Sequence, residues 1–187
     1  MKLKFYLFTF LLLFSRGCDF YSTSLWIFEP GGLAHETNPL TRFFNVGWNG
    51  LLLANFIVVA LIIAAYYYYS FHYRRPSFDP QPNNYREYAS LLYFNRKDRW
   101  HWLFYKLPHN RKASMAHMGY VLVRTVIVAS LLATFHNLCQ FYDIGFYNTY
   151  RELVGRPLYV IYALIGLTAV FFHRHLLQRE FRSLNGN

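Results

Sequence analysis

The sequence predicts an all-α integral membrane protein, a four-helix bundle with both termini and a long basic amphipathic loop on the cytoplasmic side. Four apolar stretches carry that prediction, at about 5–28, 43–70, 115–138 and 157–176. A helix rising 1.5 Å per residue needs about 20 such residues to cross a hydrocarbon core of about 30 Å. Lipid offers backbone amides no water, so runs of this length read as helices, whose hydrogen bonds are closed internally. The connecting segments are lopsided in charge. Lys2 and Lys4 precede the first stretch, nine basic residues lie in the segment 71–114, and Arg174, Arg179 and Arg182 follow the last stretch. The opposite loops hold only Arg42, Arg151 and Arg156. By the positive-inside rule the basic side is cytoplasmic, and an even number of spans agrees with it.

A chain of 187 residues with four spans has no room for a separate soluble domain, so residues 1–187 read as one domain. Aromatics make up 21%, which suits a protein with two membrane interfaces, where Tyr and Trp keep a ring in lipid and a polar tip in water. Mean hydropathy is only +0.11 because the long loop is strongly polar. The net charge of +10 would suit nucleic acid, but its distribution follows topology, and no nucleic-acid partner is expected.

The first stretch opens like a secretory signal, with Lys2 and Lys4 before an apolar run, and Ser15-Arg16-Gly17-Cys18 resembles a lipoprotein cleavage site. The apolar Phe20–Phe28 continues the run to membrane length, so retention as a first span is the preferred reading. Pro30-Gly31-Gly32 marks a turn and Asn38-Pro39 a helix start. Between Leu51 and Tyr69 the second stretch has Asn55 as its one strongly polar residue, and it ends in Tyr66–Tyr69, read as an interfacial belt. Pro76, Pro80 and Pro82 then stiffen the chain. Residues 85–112 interleave Tyr88, Leu92, Phe94, Trp100 and Trp102 with Arg96, Lys97, Arg99, Lys106, Arg111 and Lys112, as expected of a segment lying among anionic headgroups. The third span carries Arg124 in its middle. Phe141–Arg156 is a short outer loop, and Arg156-Pro157 starts a lean fourth span of about 16 apolar residues, with His173, Arg174 and His175 snorkelling at its inner end.

Ionisable residues within a span cost about 2.5–3.5 kcal/mol each on insertion scales, so each needs a partner or a task. From the helical rise, Arg16 and Asp19 lie roughly 18 and 22 Å beyond Lys4, Arg124 roughly 14 Å beyond Met115, and Asn55 roughly 25 Å from His72. Arg16 and Asp19, three apart, can pair on one helix face. Asp19, Asn55 and one or both arginines therefore meet inside the bundle. The preferred reading is a charge-neutralised clamp with Asp19 bridging Arg16 and Arg124. The alternative is a polar cavity on the outer side that binds a small anionic group. Cys18 and Cys139 fit no metal cluster or redox pair and read as unpaired thiols, with a disulfide as the other option. His72 and His117, at matching depth, are the one pair that could bridge two helices to a haem. No H-E-x-x-H, G-x-S-x-G or C-x-x-C occurs.

Asp19 and Thr23 late in the first helix, then Gly32 and Glu36-Thr37-Asn38-Pro39-Leu40, resemble the pattern of a family of small prokaryotic membrane proteins of unknown function, the DUF5658 type. The resemblance covers about residues 15–70, implies no activity, and suggests an inner (plasma) membrane. Read physically, Glu36 or Asn38 caps the second helix, and Asp19 and Thr23, one turn apart, face one vestibule. The expectation is a non-catalytic accessory or scaffold subunit, binding anionic lipid through 85–112 and another membrane protein or its own copy, with no cofactor. The competing expectation is an intramembrane enzyme or transporter with Asp19 or Glu36 as proton acceptor and Arg16 and Arg124 as anion contacts. A haem-binding electron carrier on His72 and His117 is the third.

Overall fold

The protein is described by a computed structural model over residues 2–28 and 47–184. The turn expected at Pro30-Gly31-Gly32, and the capping residues Glu36 and Asn38, lie outside the described residues. Among these, all regular structure is helical: α1 (Lys2–Ile27), α2 (Trp48–Tyr67), α3 (Tyr85–Phe94), α4 (Arg111–Phe141), α5 (Gly145–Val154) and α6 (Pro157–Leu184). A π-helical turn, Tyr68–His72, prolongs α2, and a 3₁₀ turn, Trp100–Phe104, follows α3. Three helices are long and apolar enough to cross a membrane: α2 with its extension, α4 and α6. α1 has 26 residues, but Arg16 and Asp19 interrupt its apolar run.

Contacts at the two ends set the helix directions. Near one end, the Tyr66 hydroxyl lies 3.5 Å from the Lys4 carbonyl and Glu180 meets His117. Toward the other, Arg16 reaches Asn55 of α2 and Ser130 of α4. α1 and α4 therefore run parallel, with α2 and α6 antiparallel to both. Phe5, Leu12, Val59, Ile62, Tyr66, Tyr120, Val123 and Leu176 form the core between them. α2 and α4 touch where Gly119 lies against the backbone of Ala65 and Tyr66, an approach that a Cβ would block. Tyr66, expected in an interfacial belt, is instead buried and stacked on Phe5.

The middle segment departs further from expectation. Its first part is a helix docked on the bundle, with Tyr88, Leu92, Tyr93 and Phe94 buried together with Ala113 of α4 and Leu177 of α6. Asn84 caps α3, its Oδ1 accepting from the Arg86 and Glu87 amides at 3.0 and 2.9 Å. Glu87 reaches back to the Asn83 amide at 2.9 Å and to Lys97 Nζ at 3.1 Å, a variant of the capping box. The helix stops at Asn95, in the left-handed region at φ 53°. These aromatics are therefore buried against the bundle, whereas Trp100 and Tyr105 are exposed.

α6 also differs from the expected lean span. It starts at Pro157 as expected, but continues to Leu184, because its last turns pack against α3. The segment between α4 and α6 contains a ten-residue helix, α5, anchored by Tyr147 hydrogen-bonded to His136 of α4. Cys18 and Cys139 are free thiols.

Gly119→Ala is expected to lower stability in detergent by about 1–3 kcal/mol or more, since the new methyl meets backbone that cannot move aside. Gly166→Ala, where a Cβ meets nothing within 4 Å, should be neutral or mildly stabilising in the same thermal melt. Glu87 gives a pH test. The Asn83 amide, and then Lys97, hold its carboxyl below the ordinary carboxylate value. A depressed acid stabilises above its unfolded value and loses that contribution as pH falls through the folded one. The stability gap between wild type and Glu87→Gln should therefore be full at pH 7 and close below about pH 4. A gap unchanged at acidic pH would refute this assignment.

Candidate functional site

Two buried polar clusters lie at opposite ends of the bundle. The first is built on Arg16. Its Nη1 donates to Asp19 Oδ2 at 2.5 Å and to Ser130 Oγ at 3.1 Å, and its Nη2 donates to Asn55 Oδ1. The Asn55 amide in turn donates to the Leu51 carbonyl at 2.9 Å. One guanidinium thus ties α1, α2 and α4 together in a fork geometry suited to several acceptors. One turn further out, Asn137 Nδ2 of α4 donates to both Ser22 Oγ and Thr23 Oγ1 at 3.2 Å. The indole of Trp26 donates to the Asn137 carbonyl at 3.3 Å. A cavity of about 340 Å³ opens beside the cluster, lined by Arg16, Asp19, Thr23, Asn55, His136 and Asn137, with Leu158, Ile161 and Tyr162 of α6 as a wall.

Arg124 does not join this cluster. Its guanidinium lies 3.5 Å from the centre of the Tyr120 ring and 4.0 Å from that of Phe8, and donates to the Tyr120 carbonyl at 2.8 Å. The expected Asp19–Arg124 bridge is replaced by a stacked, aromatic-walled cation. Met115 and Lys4 do not lie at one level. Phe8 sits opposite Arg124, so Arg16 lies about 12 Å, eight residues of rise, farther along α1.

The second cluster, at the basic end, escaped the sequence reading. Glu180 of α6 is 1% exposed. Its Oε2 accepts from the Tyr88 hydroxyl at 2.8 Å and lies 2.9 Å from His117 Nε2, a close polar contact bent away from hydrogen-bond alignment. Oε1 has Arg75 Nε at 3.8 Å, too far for a hydrogen bond. Beyond His117, the Tyr93 hydroxyl sits between His117 Nδ1 at 2.7 Å and His173 Nε2 at 2.9 Å. A hydroxyl donates only once, so one imidazole accepts from Tyr93 and the other donates to it. The chain His173–Tyr93–His117–Glu180 is self-consistent with each Nε2 carrying its proton. Burial, and then the negative charge of Glu180, push the Tyr88 and Tyr93 phenols well above their ordinary value, so both remain hydroxyl donors.

Of the expected haem pair, His117 has Nδ1 on the Tyr93 hydroxyl and Nε2 facing Glu180, while His72 stacks against Tyr68 at 6.2 Å. The missed cluster had a signal. Glu180 is the one acid in α6, and His173 and Glu180 are seven apart, on one helix face across two turns.

Breaking the Arg16 cluster tests its role as a brace. Arg16→Met removes the donor that Asp19, Asn55 and Ser130 share and is expected to lower the unfolding temperature in detergent. Equal stability of Arg16→Met and wild type would contradict the brace. Compared with known proteins, the chain matches no family model, no curated protein and no solved structure.

Proposed function

We propose that the chain is a four-span protein of the inner (plasma) membrane, with both termini and the basic middle segment cytoplasmic. In this reading it works without catalysis, as an accessory or scaffold subunit that binds anionic lipid at its basic end and another membrane protein along α6. The observation that carries the proposal is how the buried polar groups are spent. Both terminal nitrogens of Arg16, and Oε2 of Glu180, are committed to contacts within the bundle. Outside, α6 is bare. Only 11% of its most apolar stretch is buried, against 39% for α4, and Leu167, Val170 and Phe171 are all exposed. Lipid covers such a face at no cost, and so does a partner helix packing by van der Waals contact. The helix directions bring the ends carrying Lys2, Lys4, Arg74, Arg75, Arg111, Lys112, Arg179 and Arg182 together, which supports a common cytoplasmic side.

A photoreactive side chain at Leu167 or Val170, introduced in cells, is expected to give one discrete heterologous protein adduct, with the same probe at Phe56 of α2 giving lipid only. Native mass spectrometry and an absorption spectrum of the protein released in mild detergent complete the test. A lone protomer carrying a stoichiometric small ligand or haem, with lipid adducts alone on α6, overturns the accessory reading. The cavity of about 340 Å³ favours a second reading, a small-ligand transporter or intramembrane enzyme with Asp19 as proton acceptor. Asp19→Asn separates the two. The brace loses stability, whereas a transport or catalytic carboxylate loses activity with its fold intact.

A further inference from the structure

The α2–α4 contact at Gly119 leaves a groove on the face of the bundle, about 1030 Å³ in volume. Leu61 and Ile62 of α2, and Met118, Leu122 and Val126 of α4, wall it, and its lining is overwhelmingly apolar. Polar groups enter at one end, where His109, Arg111 and Ser114 line the mouth beside Leu107 and Pro108. From Arg111 to Val126 the groove follows α4 for about 22 Å, fifteen residues of rise. Half a hydrocarbon core is about 15 Å, so the groove reaches from headgroup level to the depth of an acyl chain terminus in one leaflet.

Charge decides what fits the mouth. Several cations near the basic end are already occupied. Lys97 pairs with Glu87, Arg75 approaches Glu180, and Arg96, Arg99 and Lys106 surround the Trp102 ring at 5.8, 5.4 and 3.7 Å. Arg111 and Lys112, both exposed, form no ion pair among the described residues. An apolar cleft of leaflet depth with uncommitted positive charge at its interfacial end is complementary to an anion carrying a hydrocarbon chain. We propose that the α2–α4 groove is an intramembrane site for an anionic phospholipid, with an acyl chain along Leu61, Met118 and Leu122 and the phosphate held by Arg111. The site rests on the lipid-binding part of the proposed function and makes it specific. Binding belongs to a built groove rather than to general attraction of the basic segment to the bilayer surface.

The test uses the full-length, delipidated protein in mild detergent, titrated with phosphatidylglycerol or with phosphatidylcholine of identical chains, and native mass spectrometry to resolve each binding event. The first phosphatidylglycerol should bind more tightly than phosphatidylcholine. Arg111→Gln should weaken that event about fivefold, the factor given by about 1 kcal/mol per interfacial basic residue. Met118→Trp, which fills the groove from an exposed position, should weaken the first event for both lipids, with the thermal melt confirming its fold. An anionic preference that ignores Arg111→Gln and Met118→Trp but disappears in an Arg96→Gln/Arg99→Gln/Lys106→Gln variant overturns the groove and leaves surface lipid binding standing. Equal binding of both lipids by wild type overturns both. Crosslinking of a second protein chain, rather than lipid, from a photoreactive residue at position 118 would assign the groove to a partner helix and also overturn the site.

Discussion

A single carboxylate, that of Glu180, organises the basic end of the bundle. A charge with 1% exposure is tolerated only where opposite charge and directed donors surround it. Supplying them requires α3, α4 and α6 to converge, because Tyr88 comes from the first, His117 from the second and the acid itself from the third. The long middle segment is therefore part of the fold. Remove the carboxylate and Tyr88, His117, Tyr93 and His173 lose the order in which each completes the next. The extension of α6 beyond its apolar portion follows from the same need, since a helix ending near residue 176 would never deliver Glu180 to its partners.

The outer end solves the reverse problem with a cation. Arg16 is placed where Asp19, Asn55 and Ser130 can all accept, and three helices contribute one acceptor each. Between the two ends, Arg124 is accommodated by rings rather than by charge. These are three distinct answers to burying a charge in a low-dielectric bundle: carboxylate with imidazole and phenols, guanidinium with polar acceptors, guanidinium with aromatic faces.

Hydropathy and the helical rise made the long helices legible, along with the gathering of Arg16, Asp19 and Asn55 at one level, because both depend only on spacing along a helix. Arg124 was misplaced because the rise fixes depth within a helix but not the offset between two helices. Tyr88 and Tyr93 were unreadable for a different reason. In sequence they are two more aromatics in a basic, aromatic stretch, and only the tertiary position of Glu180 separates a docked phenol from an interfacial one. α5 was hidden by its mixed composition, and what fixes it is a hydrogen bond between Tyr147 and His136 that no periodicity signals. The lone acid in α6 was the one available clue to the inner cluster, and its pairing with His173 at seven residues was the pattern to follow.

The parallel packing of α1 against α4 sets the order of events during biosynthesis. Arg16 and Ser130 are 114 residues apart, so at about 5–20 residues per second the ribosome needs roughly 6–20 s to deliver α4 after α1 has emerged. Throughout that interval α1 carries two ionisable groups whose α4 partner has not yet been made. The three-residue spacing of Arg16 and Asp19 answers this wait, since the pair neutralises itself on its own helix from the moment α1 forms. Asn55 joins next, when α2 folds back, and Ser130 arrives last. The nascent chain thus carries its own counter-ion, and the polar cluster is completed in the order in which its members are translated.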